Sequence, residues 1–153
     1  MSSVGPRRLA GARRSPRCDG GQALIEFALI LPVLLMLMLG LFDVARAVWQ
    51  ENTLAFAARE ATRYAIVHGS ASSSPISYCS SCSNSTLLSV VQQNAIGVTN
   101  ISITVTYPDG NNDRSSRVSV DATAPFVPLP SQYLLNGALT VTLRGGSMLV
   151  IQR

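Results

Sequence analysis

The sequence contains no lysine; all 12 of its basic residues are arginine, a bias that nothing in the chain's physical chemistry explains. Charge of either sign is scarce, at 13% of residues. That is roughly half the share of an ordinary soluble domain, and it excludes a charge-rich disordered tail. Three cysteines exclude a disulfide-dense scaffold, and 11 scattered glycines exclude a collagen-like repeat. In place of charge the chain has apolar residues, 47% of its 153 positions. That length holds one small domain, or a smaller domain with an appendage.

The formal net charge of +4 is unevenly placed. Residues 1–22 hold Arg7, Arg8, Arg13, Arg14 and Arg17 against Asp19, which accounts for all of it. Residues 23–68 sum to −1 and residues 69–153 to +1. Nucleic-acid binding would need a basic face on a folded domain. Here the basic run abuts the most apolar segment of the chain, which is a topology signal for a membrane.

That segment, Ala23 to Phe42, reads ALIEFALILPVLLMLMLGLF, with Glu26 its one charge. As a helix it rises about 30 Å, the thickness of a bilayer's hydrocarbon core. A buried core helix would need a large globule around it, and the residues after position 68 are too few and too polar to provide one. Pro32 is expected to kink the helix. The arginines on its N-terminal flank place that end in the cytoplasm and everything after Phe42 outside.

Three fates of the segment are open. It stays as an anchor with its leader; or it is a signal peptide cut after Ala47, as Ala45-Arg46-Ala47 allows; or only the leader is clipped and the apolar helix remains. Against signal-peptide cleavage, the run exceeds the usual h-region of about 7–15 residues, and Asp43 and Arg46 crowd the site. An ionised carboxylate costs roughly 2.5–3.5 kcal/mol at mid-membrane and less near the edge, where Glu26 lies. Either it snorkels to the interface or it awaits a positive partner.

Gly21-Gln22-Ala23-Leu24-Ile25-Glu26-Phe27 resembles the cleavage region of type IV prepilins, especially the tight-adherence (Tad, or Flp) branch. In that branch a membrane aspartyl peptidase cuts after glycine, and glutamate and an aromatic residue stand fifth and sixth in the mature chain. Cutting after Gly21 makes Gln22 first, Glu26 fifth and Phe27 sixth. The segment from Glu26 through Leu31-Pro32 to Gly40, with Asp43 and Arg46, looks like the TadE-like pilus-assembly proteins, as does Ala57-Ala58-Arg59-Glu60-Ala61-Thr62-Arg63-Tyr64-Ala65. The likeness covers roughly residues 20–68. It implies that Gly21, Gln22, Glu26 and Phe27 form a prepilin-type processing site. The freed α-amino group is cationic at neutral pH. Glu26 of one subunit would pair with that group on a neighbour, fixing register.

Downstream the sequence stays helix-prone to about His68, with neither Gly nor Pro from Asp43 until Gly69, which suits a helix stop. Ala47, Leu54, Ala58, Ala61 and Ala65 form a stripe of mostly small residues. Residues 23–68 can therefore be one helix of about 69 Å. The stripe suits either another helix or the chain's own C-terminal domain. Glu60 partly compensates Arg63. His68, the single histidine, sits where a helix C-terminus favours a cation.

Residues 69–85 hold nine serines and read as a flexible loop carrying Cys79 and Cys82. A zinc site would need two further ligands, and a thioredoxin-type site a βαβ unit, so a small-loop disulfide is the simplest reading. Cys18 reads as a free leader thiol. Thr86 to Ala95 suits a short helix closed by Gly97. Asn100 to Tyr107 and Arg117 to Ala124 alternate as strands. Pro125, Pro128 and Pro130 suggest an extended crossing, Ala138 to Arg144 a third strand, Gly145-Gly146 a turn, and Met148 to Gln152 a fourth strand. The Asp109 and Asp113 carboxylates fall in the turn between the first two strands. The N-x-[ST] patterns at Asn84 and Asn100 are taken as chance.

The expected fold is α+β: a long N-terminal transmembrane helix continuing as a stem, packed on a small antiparallel sheet, pilin-like. The expected parts are a basic cytoplasmic leader (1–21), the transmembrane helix (22–42), a helical stem (43–68), the Ser-rich loop (69–85) and a small extracytoplasmic α+β domain (86–153). The resemblance implies a minor pseudopilin or assembly component of a tight-adherence (Flp, type IVc-like) pilus or related secretion apparatus. It would be single-pass in the cytoplasmic (inner) membrane, N-terminus inside. Its partners would be the membrane, the prepilin-type aspartyl peptidase, other pseudopilins and pilus platform proteins, with neither nucleic acid nor a small-molecule substrate. The alternative is an exported binding domain released after Ala47. No nucleophile–base pair, phosphate-cradling loop or paired carboxylate suggests an enzyme, a cofactor or a metal.

Overall fold

A computed structural model describes residues 19–134 and 136–152. The leader arginines and Cys18 lie outside the described residues. The described chain divides into two units at Met36 and Leu37.

The first helix, α1, spans Asp19–Val67, with Pro32 inside it. Its apolar part meets the length and hydropathy of a membrane span, with a mean hydropathy of 2.6 and no part of that window buried. Every described residue from Gly21 to Phe42 is exposed to solvent. Asp43 begins the buried face of the stem.

Gly69 follows the helix as expected, but it is not among the left-handed residues, so it is not the cap. A side chain one turn on and one tertiary partner take two of the last carbonyls instead. The His68 ring donates from Nδ1 to the Tyr64 carbonyl at 2.8 Å, and the Gln152 amide donates to Ile66 at 3.0 Å. Such partners satisfy carbonyls that a helix end leaves free.

The rest of the fold is a helix of ten residues, α2 (Ser85–Asn94), a helix of six residues, α3 (Leu129–Leu134), and four strands. The strands are β1 (Ser81–Cys82), β2 (Ser102–Thr106), β3 (Arg117–Phe126) and β4 (Val141–Val150). They form one antiparallel sheet in the order β1-β2-β3-β4. Asn84 starts α2 by accepting the Thr86 and Leu87 amides at 3.0 and 3.3 Å. This is the cap that asparagine makes best, and it accounts for Asn84 structurally.

The core lies between the stem and one face of the sheet. Leu54, Ala57, Ala58, Ala61 and Ala65 of the stem are buried against Val118, Val120, Ala122 and Ala124 of β3, Ile103 and Val105 of β2, and Leu87 and Val91 of α2. The small-residue stripe therefore packs on the chain's own domain. Full burial of Leu54 alone contributes about 1.5–3 kcal/mol. The other sheet face is mostly polar, with Met148 and Val150 exposed on it and Arg144 and Asp121 paired across it at 3.3 Å.

Four expectations need correction. Gly145-Gly146 is not a turn: one strand, β4, runs through it. A Cβ on Gly145 would lie 2.5 Å from the Ala55 nitrogen, so the glycine is there because the stem backbone crosses the strand. Pro125 does not end β3, because it pairs with Thr142 beyond the last residue that β2 matches. Pro130 sits in the first turn of α3 rather than in an extended crossing, a position where its missing N–H costs nothing. The Ser-rich segment is tied down. Its β1 pairs with β2, Ile76 is buried, and Asn112 donates to the Ile76 carbonyl at 2.8 Å while its own carbonyl accepts the Ser70 amide.

Candidate functional site

Gly21, Gln22, Glu26 and Phe27 all fall in the first turns of α1. Helical spacing brings Gln22 and Glu26 together, and Gln22 Nε2 donates to Glu26 Oε1 at 3.5 Å. Phe27 is exposed. A Cβ on Gly21 would meet nothing within 4 Å, and its φ is not left-handed. Neither packing nor backbone geometry calls for glycine there, where it costs the helix about 1 kcal/mol relative to alanine.

Directly after the apolar run, α1 holds the connector between β3 and β4. Asp43 is 6% exposed, and its Oδ2 accepts the Leu129 amide at 2.9 Å, at the start of α3. Arg46, one turn on, lies 3.9 Å from Asp43 Oδ1, donates to the Val127 carbonyl at 3.3 Å, and stacks its guanidinium 4.8 Å over the Phe126 ring. Asp43 Oδ1 has no hydrogen bond, so the Arg46 charge is what compensates it. Sequence reasoning placed both residues beside the membrane but did not see this clasp. A charged pair one turn apart, directly after an apolar run, was its only signal.

Cys79 and Cys82 are joined as a disulfide with Cα atoms 6.0 Å apart, and Cys82 belongs to β1. His68 stacks on Tyr64 with ring centroids 4.0 Å apart. Both line an open groove with Glu60, Arg63, Val90 and Asn94, between the stem and α2. Among the described residues no three His, Cys, Asp or Glu side chains gather as metal ligands would. Asp109 accepts three bonds from Arg117, one from its amide at 2.7 Å and two from its guanidinium at 3.1 and 2.7 Å. Those bonds, with its guanidinium first, hold the carboxyl down at about 2. The pair braces the turn between β2 and β3.

Residues 21–63 match the model of the family described as TadE-like protein. The match begins at Gly21 and takes in Glu26, Phe27, Asp43, Arg46 and the small-residue face as far as Arg63. Comparison with curated proteins and with solved structures found no match.

Proposed function

We propose that this chain is a membrane-anchored minor pseudopilin or assembly component of a tight-adherence pilus or related secretion apparatus. The observation that carries the reading is the TadE-like match starting at Gly21, a glycine that the fold itself does not require. A prepilin-type aspartyl peptidase removes residues 1–21. The helix stays in the cytoplasmic membrane with the sheet domain outside, and the new N-terminal amine of Gln22 pairs with Glu26 of a neighbouring subunit. Other pseudopilins and the pilus platform are the partners, and the work is packing and priming rather than catalysis. The Cys79–Cys82 disulfide suits an oxidising compartment outside the cytoplasm.

Because the stem's small-residue face is occupied by its own domain, neighbouring helices meet the opposite face, where Phe56 and Arg63 are exposed. Release after Ala47 is disfavoured by the clasp. Cleavage there removes Asp43 and Arg46 from the domain whose β3–β4 connector they hold.

The test is a host strain lacking this chain. Surface pili disappear on deletion and return with the wild-type chain but not with Gly21→Ala. Unchanged piliation in the deletion strain overturns the reading.

A further inference from the structure

The compact unit has two unlike ends. Stem and β4 run in the same direction, since Gly145 meets Ala55, the Ser147 carbonyl meets Thr62, and the Gln152 amide meets Ile66. The far end thus carries the β2–β3 turn with Asp109, Asp113 and Arg114, and the Ser-rich segment packed on it. The near end, where the stem leaves the apolar run, carries the β3–β4 connector. From Ala122 to Leu143 that region has no charged residue.

The connector descends along the stem. The Val127 carbonyl is held by Arg46 and the Leu129 amide by Asp43, one helical turn nearer the apolar run, which ends at Phe42. From there α3 exposes Tyr133 at 78%, and the loop behind it exposes Leu139 at 58%, tied back through Ser131, whose Oγ accepts the Leu139 amide at 2.9 Å. Across the same end Val44 is 61% exposed.

We propose that α3 and residues 136–141 rest in the headgroup layer of the membrane that anchors the chain, with Tyr133 as the interfacial anchor. This rests on the membrane-anchor reading. A tyrosine has the apolar ring and polar tip that the bilayer interface selects, and an uncharged surface is not penalised there. Lipid, rather than another protein, is the occupant because the patch continues from the end of the apolar run. The Asp43 bond fixes α3 within one residue of that end. The clasp thereby holds α3 beside the end of the apolar run.

The test uses the full chain in phosphatidylcholine vesicles, with Trp49→Phe as background and single tryptophans introduced by Tyr133→Trp, Arg114→Trp and Leu34→Trp. Bromines near the top of the acyl chains are expected to extinguish emission from the Tyr133→Trp chain, with a blue shift, and to leave Arg114→Trp unchanged. Equal emission loss at both positions, or a blue shift at position 133 without quenching, overturns the proposal; the second outcome means protein covers the patch. Leu34→Trp reports the anchor itself. Quenching by bromines at the chain ends at position 34, with none at 133 from either lipid, overturns the interfacial seat alone. No quenching at position 34 overturns the anchor and this proposal together.

Discussion

Gly145 of β4 and Ala55 of the stem meet backbone to backbone: a side-chain carbon on Gly145 would lie 2.5 Å from the Ala55 nitrogen and 2.7 Å from its Cα. No flexible side chain is available to give way, so either strand or helix must shift. Gly145→Ala is expected to destabilise the sheet domain by about 1–3 kcal/mol, the usual cost of overpacking. Gly21→Ala faces open space and is expected to leave the fold unchanged or slightly firmer. Thermal unfolding of the two detergent-solubilised variants beside wild type checks both.

The clasp makes a second prediction. Asp43→Ala leaves the Leu129 amide and the Arg46 guanidinium without their partner. The expected loss is about 1–3 kcal/mol, the cost of leaving a buried polar group unpaired. Asp43→Asn keeps an acceptor for the amide and is expected to lose less. Limited proteolysis should show earlier cutting between Phe126 and Val141 in Asp43→Ala, with cutting at the β2–β3 turn unchanged.

The apolar run, the stem to Val67 and the alternation of β2 and β3 are local periodicities, and they read directly. Gly145-Gly146 did not, because glycine marks both a turn and a close backbone approach, and only the position of Ala55 decides between them. β1 has two residues and no periodicity of its own; its register with Thr106 and Val105 defines it. α3 was hidden by its prolines, although Pro130 stands where a helix tolerates it. The Asp43–Leu129 bond joins residues 86 apart, so no local pattern announces it. Of the residues expected to form a processing site, Gly21 stands where packing does not call for a glycine.

The third prediction concerns the Cys79–Cys82 disulfide, which closes a short loop at the sheet edge. A loop of that length is worth about 2 kcal/mol in the chain-entropy account. Reduction is expected to lower the unfolding temperature and to speed amide exchange at Ser81 and Cys82 first, because β1 has only two residues of pairing. Exchange measured with and without reductant checks the order.

Acid supplies the fourth. Hydrogen bonds from the Arg117 side chain and amide hold the Asp109 carboxyl at about 2, below its ordinary 3.8. A carboxylate whose pKa is lower in the folded chain stabilises the fold above its unfolded value, and loses that contribution as the pH falls through the folded one. The gap in unfolding temperature between wild type and Asp109→Asn is therefore expected to hold steady down to about pH 4 and to close between about 4 and 2. Melts of both chains across that range check it.

The central claim is that the leader is removed and the helix kept. Intact-mass measurement of the chain recovered from its host's membranes tests it directly. The account predicts a mature chain beginning at Gln22, and a chain blocked at full length when Gly21 is replaced by alanine. A wild-type chain still beginning at Met1 contradicts processing, and one beginning at Val48 contradicts the anchor itself.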